Sequence, residues 1–280
     1  MRLSLRPAAF SLLSAALPLT GCAIHLKWNS PDVWVEESEQ FDVGATDLER
    51  LAAVTDNGSV TLRAAAASET TVHVTAVKRA GGDDEADARA ALACLTVSCR
   101  TEGAVLHVEA GWARSPDSSW GSCVSFEITA PARLAARLES HNGEITVSGT
   151  AGRLDLVSHN GRVFIDSPST CVAALTHNGG VEYRGPAQEI ALETHNGWVK
   201  AKLTGGPVNG RIVTHNGAIV VEAAGALRGT LQGETHNGSI SLAAHGSNST
   251  VRDDSFRIEY ADPGAGRLEV TTHNGSIEVR

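Results

Sequence analysis

The segment Ser140-His141-Asn142-Gly143-Glu144-Ile145-Thr146-Val147 is the first of seven copies of one pattern in the second half of this chain. Each copy reads Ser/Thr-His-Asn-Gly, and a Val or Ile follows two residues after the glycine. The first four copies are 18 residues apart, and the later intervals are 20, 21 and 37 residues. A nearly constant period of this length predicts a repeat architecture, in which each copy buries its apolar face only against its neighbours. The repeated histidines are His141, His159, His177, His195, His215, His236 and His273.

Apolar side chains alternate with other residues on both sides of each His-Asn-Gly, which predicts two short β-strands per copy. With the histidine taken as position 0, the apolar positions are +4 and +6 and often −5 and −3; around His159 they are Val163, Ile165, Leu154 and Leu156. We therefore expect an all-β fold, namely a single-stranded, right-handed β-solenoid with 18-residue coils that are contiguous over residues 131–280. An earlier copy of the pattern carries Asp56 in place of the histidine.

The Asn-Gly pair of each copy is interpreted as the structural turn between the two strands of a coil. Glycine adopts positive φ without steric cost, and asparagine is one of the few other residues that visits this region. Because stacked coils lie ~4.8 Å apart, equivalent asparagines are expected to form a hydrogen-bonded ladder. The turn residues are Asn142, Gly143, Asn160, Gly161, Asn178, Gly179, Asn196, Gly197, Asn216, Gly217, Asn237, Gly238, Asn274 and Gly275.

The seven histidines are expected to face outward and to form a surface ladder, because their position is opposite in parity to the buried −1 and −3 positions. Two interpretations stay open. The histidines are either turn residues that pack on one another, or a metal-binding or pH-responsive stripe. A structural zinc site needs four ligands and a catalytic site three, whereas one column of histidines supplies them in pairs. The sequence therefore predicts no bound metal and no cofactor.

The N-terminus has the form of a secretory signal. Arg2 and Arg6 precede an apolar stretch too short to span a membrane, and the stretch ends in Leu19-Thr20-Gly21-Cys22. These four residues resemble the lipobox of bacterial lipoproteins. The resemblance implies a signal peptide at residues 1–21, a lipid on Cys22 that holds the protein to a membrane, and a tether over residues 22–32. Since Ala23 follows the cysteine, it implies the outer membrane as the destination.

Residues 33–130 are expected to form an N-terminal cap together with the first coils. The acidic and alanine-rich segment Gly81–Leu95 is the one good helix candidate, since acids favour a helix N-terminus. An even number of cysteines remains after Cys22, and this suggests disulfides in an exported protein. Their three possible pairings cannot be distinguished from the sequence; the cysteines are Cys94, Cys99, Cys123 and Cys171.

The 37-residue interval before His273 fits two periods, so we expect a coil there that has lost the motif. Asp254–Tyr260 is the candidate, with Ile258 and Tyr260 at the +4 and +6 places. The chain ends soon after its last coil, which predicts an uncapped strand edge at Ser276–Arg280. Such an edge favours self-association or docking of a partner.

Charge and motifs narrow the function. The formal net charge is −9, and it becomes −11 once Arg2 and Arg6 leave with the signal peptide, which argues against nucleic-acid binding. The sequence contains no Gly-x-Ser-x-Gly, His-Glu-x-x-His or phosphate-binding loop, and its acids are scattered or lie in the Asp83–Glu85 run, which is interpreted as the start of a helix. Trp198, directly after a turn, is a candidate surface residue for stacking on sugars.

The order of elements resembles the bacterial "putative adhesin" domain of unknown function and, more distantly, autotransporter-adhesin heads and bactofilins. The likeness rests on Phe126-Glu127-Ile128-Thr129-Ala130-Pro131 leading into Asn-Gly-x-Ile/Val coils, over about residues 41–280. It implies one continuous domain at 33–280 and a non-enzymatic, lipid-anchored adhesin or scaffold of the cell envelope. An envelope protein or a polysaccharide is the expected partner. The alternatives are a carbohydrate-binding or polysaccharide-active β-helix protein and a metal- or pH-responsive histidine ladder.

Overall fold

The computed structural model describes residues 33–114, 121–186, 188–243 and 248–280, and the predicted signal peptide, Cys22 and tether lie outside these ranges. The described residues form an all-β protein with one α-helix, α1 (Glu85–Leu92), and one 3-10 turn (Pro263–Ala265). The strands are β1 (Val33–Gly44), β2 (Arg50–Thr55), β3 (Val60–Ala64), β4 (Thr71–Gly82), β5 (Leu95–Glu102), β6 (Val105–Trp112), β7 (Ser122–Ala130), β8 (Ala135–Ser140), β9 (Ile145–Ser148), β10 (Leu154–Ser158), β11 (Val163–Asp166), β12 (Cys171–Thr176), β13 (Val181–Gly185), β14 (Glu189–Asn196), β15 (Val199–Leu203), β16 (Gly206–Pro207), β17 (Gly210–Asn216), β18 (Ile219–Ala223), β19 (Leu227–Arg228), β20 (Thr230–Asn237), β21 (Ile240–Leu242), β22 (Asn248–Val251), β23 (Ser255–Glu259), β24 (Arg267–Asn274) and β25 (Ile277–Val279).

The strands form two large sheets, and every Asn-Gly copy contributes one strand to each of them. Sheet I runs β1-β4-β7-β3-β9-β11-β13-β15-β18-β25-β21. Sheet II runs β22-β23-β20-β24-β17-β14-β12-β10-β8-β2-β6-β5. The chain passes from sheet II to sheet I at each Asn-Gly corner, and the inward side chains of both sheets share one apolar core.

The register of the repeat follows its 18-residue period. Leu154 of β10 pairs with Val172 of β12, and Val163 of β11 pairs with Val181 of β13, in parallel. Equivalent residues therefore stack on one another, and the apolar residues at −5, −3, +4 and +6 are almost completely buried, except Ile240 and Leu242 of the His236 coil, which are half-buried. The early copy with Asp56 is a coil of the same kind, since β2 pairs with β8 and β3 with β9.

At the N-terminal end the structure departs from a single-stranded solenoid, because antiparallel strands close the stack. Strands β6 and β7 pair in parallel with β2 and β3, but β5 lies antiparallel to β6, and β4 lies antiparallel to both β7 and β1. The predicted helix is present as α1, where the Asp84 side chain accepts a hydrogen bond from the Asp87 N–H at 2.9 Å. The helix buries Ala88, Ala91 and Leu92 in the cap.

At the C-terminal end the coils do not stack in sequence order. The last coil, β24 and β25, lies between the His215 coil and the His236 coil, because β24 pairs with β17 and β20, and β25 with β18 and β21. The expected open edge at Ser276–Arg280 is therefore wrong, since both edges of β25 are paired. In sheet I the terminal strand at this end is β21 instead.

The expected motif-free coil at Asp254–Tyr260 is also wrong. This segment contains β23, which pairs antiparallel to β20 in sheet II and forms a hairpin with β22. Ile258 and Tyr260 are buried, but they belong to this terminal hairpin rather than to +4 and +6 positions in sheet I. The 37-residue interval before His273 contains this hairpin and the segment that leads from it to β24 of the inserted coil. The 20- and 21-residue intervals contain β16 and β19, which pair as an additional short sheet.

None of the three complete pairings of the four cysteines forms, because each would join two of Cys94, Cys99 and Cys171, which are free thiols. Their separation accounts for this in part: Cys99 on β5 and Cys171 on β12 lie five strands apart in sheet II, or roughly 24 Å at ~4.8 Å per strand. Cys123 is disulfide-bonded. Burial raises the pKa of the Cys99 thiol to about 11. Within the described ranges, no helix is long and apolar enough to cross a membrane.

Candidate functional site

The Asn-Gly corners line up into one edge of the molecule, and the asparagine side chains form a continuous ladder along it. Each Nδ2 donates to the Oδ1 of the neighbouring coil, at 2.7 to 3.0 Å. The ladder also includes Asn57, so the coil without a histidine takes part in it. In spatial order the residues are Asn57, Asn142, Asn160, Asn178, Asn196, Asn216, Asn274 and Asn237.

A second ladder lies on the inner side of the same corner. The Ser or Thr at position −1 of every coil is buried, and its hydroxyl donates to a backbone carbonyl of the neighbouring coil. Thr176 Oγ1, for example, donates to the Gly161 carbonyl at 2.8 Å, and Thr194 Oγ1 donates to the Gly179 carbonyl at 2.8 Å. A buried hydroxyl without a partner would be unfavourable, so these bonds explain why this position is always Ser or Thr.

The glycine of each corner is required for a reason that differs from the one expected. Positive φ is not the cause, because among the corner glycines only Gly58 and Gly217 have it, at 158° and 159°, close to extended backbone, and no asparagine of the motif adopts it. The cause is close approach: a Cβ on Gly161 would lie 1.9 Å from the Gly143 carbonyl oxygen, and a Cβ on Gly197 would lie 1.9 Å from that of Gly179. Successive corners touch through their backbones, and any side chain at this position would force the coils apart.

The seven histidines form a continuous stack on the outer side of the corner. Ring centroids of neighbouring coils lie 4.3 to 5.9 Å apart, and five of the six neighbouring pairs are close to parallel. The exception is His215 with His273, where the rings are tilted by 39° at the point of insertion. Six of the rings are exposed, and His177 is half-buried with its Nδ1 enclosed and without a hydrogen-bond partner among the described residues.

The histidine rings of the stack contact one another rather than acidic side chains. Among the described residues, the histidines that lie within 4.0 Å of a carboxylate are His73 and His107, which belong to the N-terminal cap and not to the stack. Loss of solvent contact against the neighbouring rings, followed by the charges of His141 and His177, lowers the pKa of His159 from its ordinary value, and Glu139 acts in the opposite direction. The neutral form of this ring is therefore the favoured one in the stack.

The geometry favours stacking over metal chelation. The lone pair of an imidazole nitrogen lies in the plane of the ring, so parallel rings direct their lone pairs side by side rather than toward a common point. A tetrahedral zinc ion with Zn–N bonds of about 2.0–2.1 Å needs converging ligands. No group of three or more His, Cys, Asp or Glu residues in the part of the chain that the structure describes is placed to hold a metal ion.

No protein-family model and no curated protein matches the chain. Several solved structures are similar to it, and three of them cover most of its length. They are a "putative cell adhesion protein" from Clostridium sporogenes (10% identity, 88% of this chain and 99% of that one, TM-score 0.37), a "putative adhesin" from Bacteroides fragilis (14%, 87% and 97%, 0.35) and a "putative adhesin" from Parabacteroides merdae (12%, 87% and 96%, 0.32). Similarity at this level leaves the function to be argued from the residues of the chain itself.

Proposed function

We propose that this protein is a non-enzymatic, lipid-anchored component of the cell envelope, and that its stack of coils presents a rigid surface for adhesion or scaffolding. The observation that carries the proposal is the corner, where eight coils are joined by side-chain and backbone contacts along one edge. A surface built in this way keeps its shape without a ligand. We infer that the coils between the two capped ends wind as a right-handed β-solenoid.

A non-enzymatic role is supported by the way in which the outer carboxylates of the coils are used. Several of them are paired with basic residues on neighbouring strands: Glu193 pairs with Arg211 at 3.4 Å, and Glu222 with Lys200 at 3.2 Å. A polysaccharide hydrolase of the usual kind needs two carboxyl groups that flank the bond to be cleaved.

Anchoring to the outer membrane rests on the lipobox-like residues that end in Cys22. The test is to express the full chain and a Cys22→Ser variant in a bacterial host that processes lipoproteins, and to label the cells with a radioactive fatty acid. We expect the label and the outer-membrane fraction to contain the first protein and not the second. An unlabelled parent protein, or equal fractionation of both, would contradict the anchor.

A second function, a pH-responsive surface, is favoured by the stacked histidines. Neutral rings stack, whereas protonated neighbours 4.3 to 4.4 Å apart repel one another, so a fall in pH changes both the charge and the cohesion of this edge. Titration of the histidine ring signals by NMR between pH 8 and pH 4.5 tests this. A transition of His159 below the ordinary histidine range would support coupling along the stack, and a transition of His159 near pH 6.5 would contradict it.

A further inference from the structure

On the outer face of sheet I, next to the His177 and His195 corners, the smallest and the largest residues of the variable +3 position lie in adjacent coils. They are Gly180 in one coil and Trp198 in the next. The two residues fit each other, because a Cβ on Gly180 would lie 2.4 Å from the Trp198 ring. The indole therefore lies over the glycine, and 41% of the Trp198 residue remains exposed. An indole held in this way presents a fixed apolar surface to solvent.

A charged side chain from two coils away, on the far side of Gly180, also contacts this indole. The Arg162 guanidinium carbon lies 5.6 Å from the centre of the Trp198 ring and 5.5 Å from that of Phe164, within the range of cation–π contacts. Arg162 is also ion-paired with Glu182. Two aromatic rings on different coils are thus joined by one planar, hydrogen-bonding group.

A shallow polar groove adjoins Phe164 on the same face. Its charged members are Asp166, Glu182, Arg184, Lys200, Lys202 and Glu222. Most of them are held in place by ion pairs across neighbouring strands, such as Arg184 with Asp166 at 3.7 Å and Lys202 with Glu222 at 3.9 Å. The groove therefore offers donors and acceptors in fixed positions, with three acids and three bases that nearly cancel in charge.

We propose that this face, called here the Trp198 platform (Arg162, Phe164, Trp198 and the groove), binds a polysaccharide chain of low charge. A sugar ring has an apolar C–H face that fits a flat indole, and a rim of hydroxyls that both donate to carboxylates and accept from Arg and Lys. The balanced charge of the groove provides no attraction for a polyanion such as nucleic acid. The proposal rests on the proposed function, for which it names the class of partner.

The test is isothermal titration calorimetry of the detergent-solubilised full-length protein with uncharged and acidic oligosaccharides. The uncharged probes are hexamers of β-1,4-linked glucose and of β-1,4-linked N-acetylglucosamine, and the acidic probe is an oligogalacturonate. We expect saturable binding of at least one uncharged probe, and affinity that is at least about tenfold lower in Trp198→Ala. Trp198→Phe should keep most of the affinity.

Two further variants separate the platform from aromatic exposure in general. Trp112 is 40% exposed but lies in the N-terminal cap, so Trp112→Ala is a matched control and should bind like the parent protein. Gly180→Ala should weaken binding because the added methyl group displaces the indole. Ala218→Ser, on the other side of the Trp198 coil, should not.

Any of three results would overturn the proposal: no probe binds at millimolar concentration, Trp198→Ala binds as tightly as the parent protein, or Trp112→Ala loses as much affinity as Trp198→Ala. Preference for the acidic probe would also count against it, because the groove would then be selecting charge. These outcomes leave the fatty-acid labelling of the parent protein unaffected, so failure of the platform and failure of the envelope assignment can be told apart.

Discussion

The inner and outer sides of the Asn-Gly corner are built on different principles, although both repeat with the same period. On the inner side, and in the exposed asparagine ladder beside it, hydroxyls, glycine backbones and amides are joined by direct contacts in every coil. On the outer side, the histidines touch only through their ring faces, and in the first coil Asp56 stands in the same place without interrupting the asparagine ladder. The inner side is therefore required for folding, whereas the outer side is free to serve a function.

The largest expected effect is that of a side chain at the corner glycine. Gly161→Ala places a methyl group 1.9 Å from the Gly143 carbonyl oxygen, and backbone atoms cannot move aside without separating the coils. We expect a loss of at least about 3 kcal/mol in the free energy of unfolding, measured by urea denaturation. Gly44→Ala is the control, because nothing lies within 4 Å of its added methyl group. Equal stability of the two variants would refute the close-approach account.

A smaller effect is expected from interrupting the asparagine ladder. Asn178→Ala removes a donor to Asn160 and an acceptor for Asn196, at 2.8 and 3.0 Å. Two exposed hydrogen bonds correspond to about 1–2 kcal/mol in the free energy of unfolding. Asn209→Ala, an exposed asparagine outside the ladder, should change it by less than about 0.5 kcal/mol. If the two alanine variants unfold at the same urea concentration, the ladder does not stabilise the corner.

Acid should weaken the contacts between the stacked histidines of the outer side first. The pKa of His159 is lowered in the folded protein, so the unfolded chain binds a proton at higher pH than the folded one does. The contribution of this ring to stability is therefore complete above about pH 6.5 and decreases as the pH falls from there toward the folded-state pKa. Thermal unfolding of the parent protein at pH 7.5, 6.0 and 5.0 should show a falling midpoint, and a rising midpoint over this range would contradict the sign.

The smallest effect is expected for a single histidine at neutral pH. His159→Asn removes two ring contacts but leaves the asparagine ladder and the Ser/Thr hydroxyl ladder intact. The equivalent position in the first coil is occupied by Asp56. We expect a loss of stability at pH 7.5 below that of Asn178→Ala, measured by the same urea denaturation. Urea titrations in which His159→Asn proves more destabilising than Asn178→Ala would show that the outer side also supports the fold.

The repeat itself could be predicted from the sequence, because its contacts join equivalent residues and the period fixes which residues meet. Leu154 over Val172 and Asn160 over Asn142 follow from the spacing of 18 alone. The ends could not be predicted in this way. The insertion of β24 and β25 between earlier coils depends on which strand edges are vacant when the chain returns. The spacing of the motifs in the sequence does not show which edges these are. The alternation around Ile258 and Tyr260 is real, but it is equally compatible with an antiparallel hairpin.

The candidate site was predictable to a similar extent. The outward position of the histidines follows from the alternation of inward and outward residues along a strand. Their spacing follows from the distance between stacked coils. Their face-to-face arrangement does not, because ring rotation depends on side-chain packing. The Trp198 platform could have been suspected from the sequence, since the smallest and the largest residues at position +3, Gly180 and Trp198, lie in adjacent coils. That the Trp198 ring covers Gly180 is visible only in the three-dimensional structure.

The central claim is that folding depends on the inner side of the corner while the histidines confer acid sensitivity, and replacing all seven histidines by asparagine tests it most directly. The measurement is the thermal unfolding midpoint of the parent protein and of this variant between pH 8 and pH 5. We predict that both fold at pH 8, that the midpoint of the parent protein falls below about pH 6.5, and that the midpoint of the variant changes much less over the same range. A variant that does not fold at pH 8, or that loses stability in acid as steeply as the parent protein, would contradict the claim.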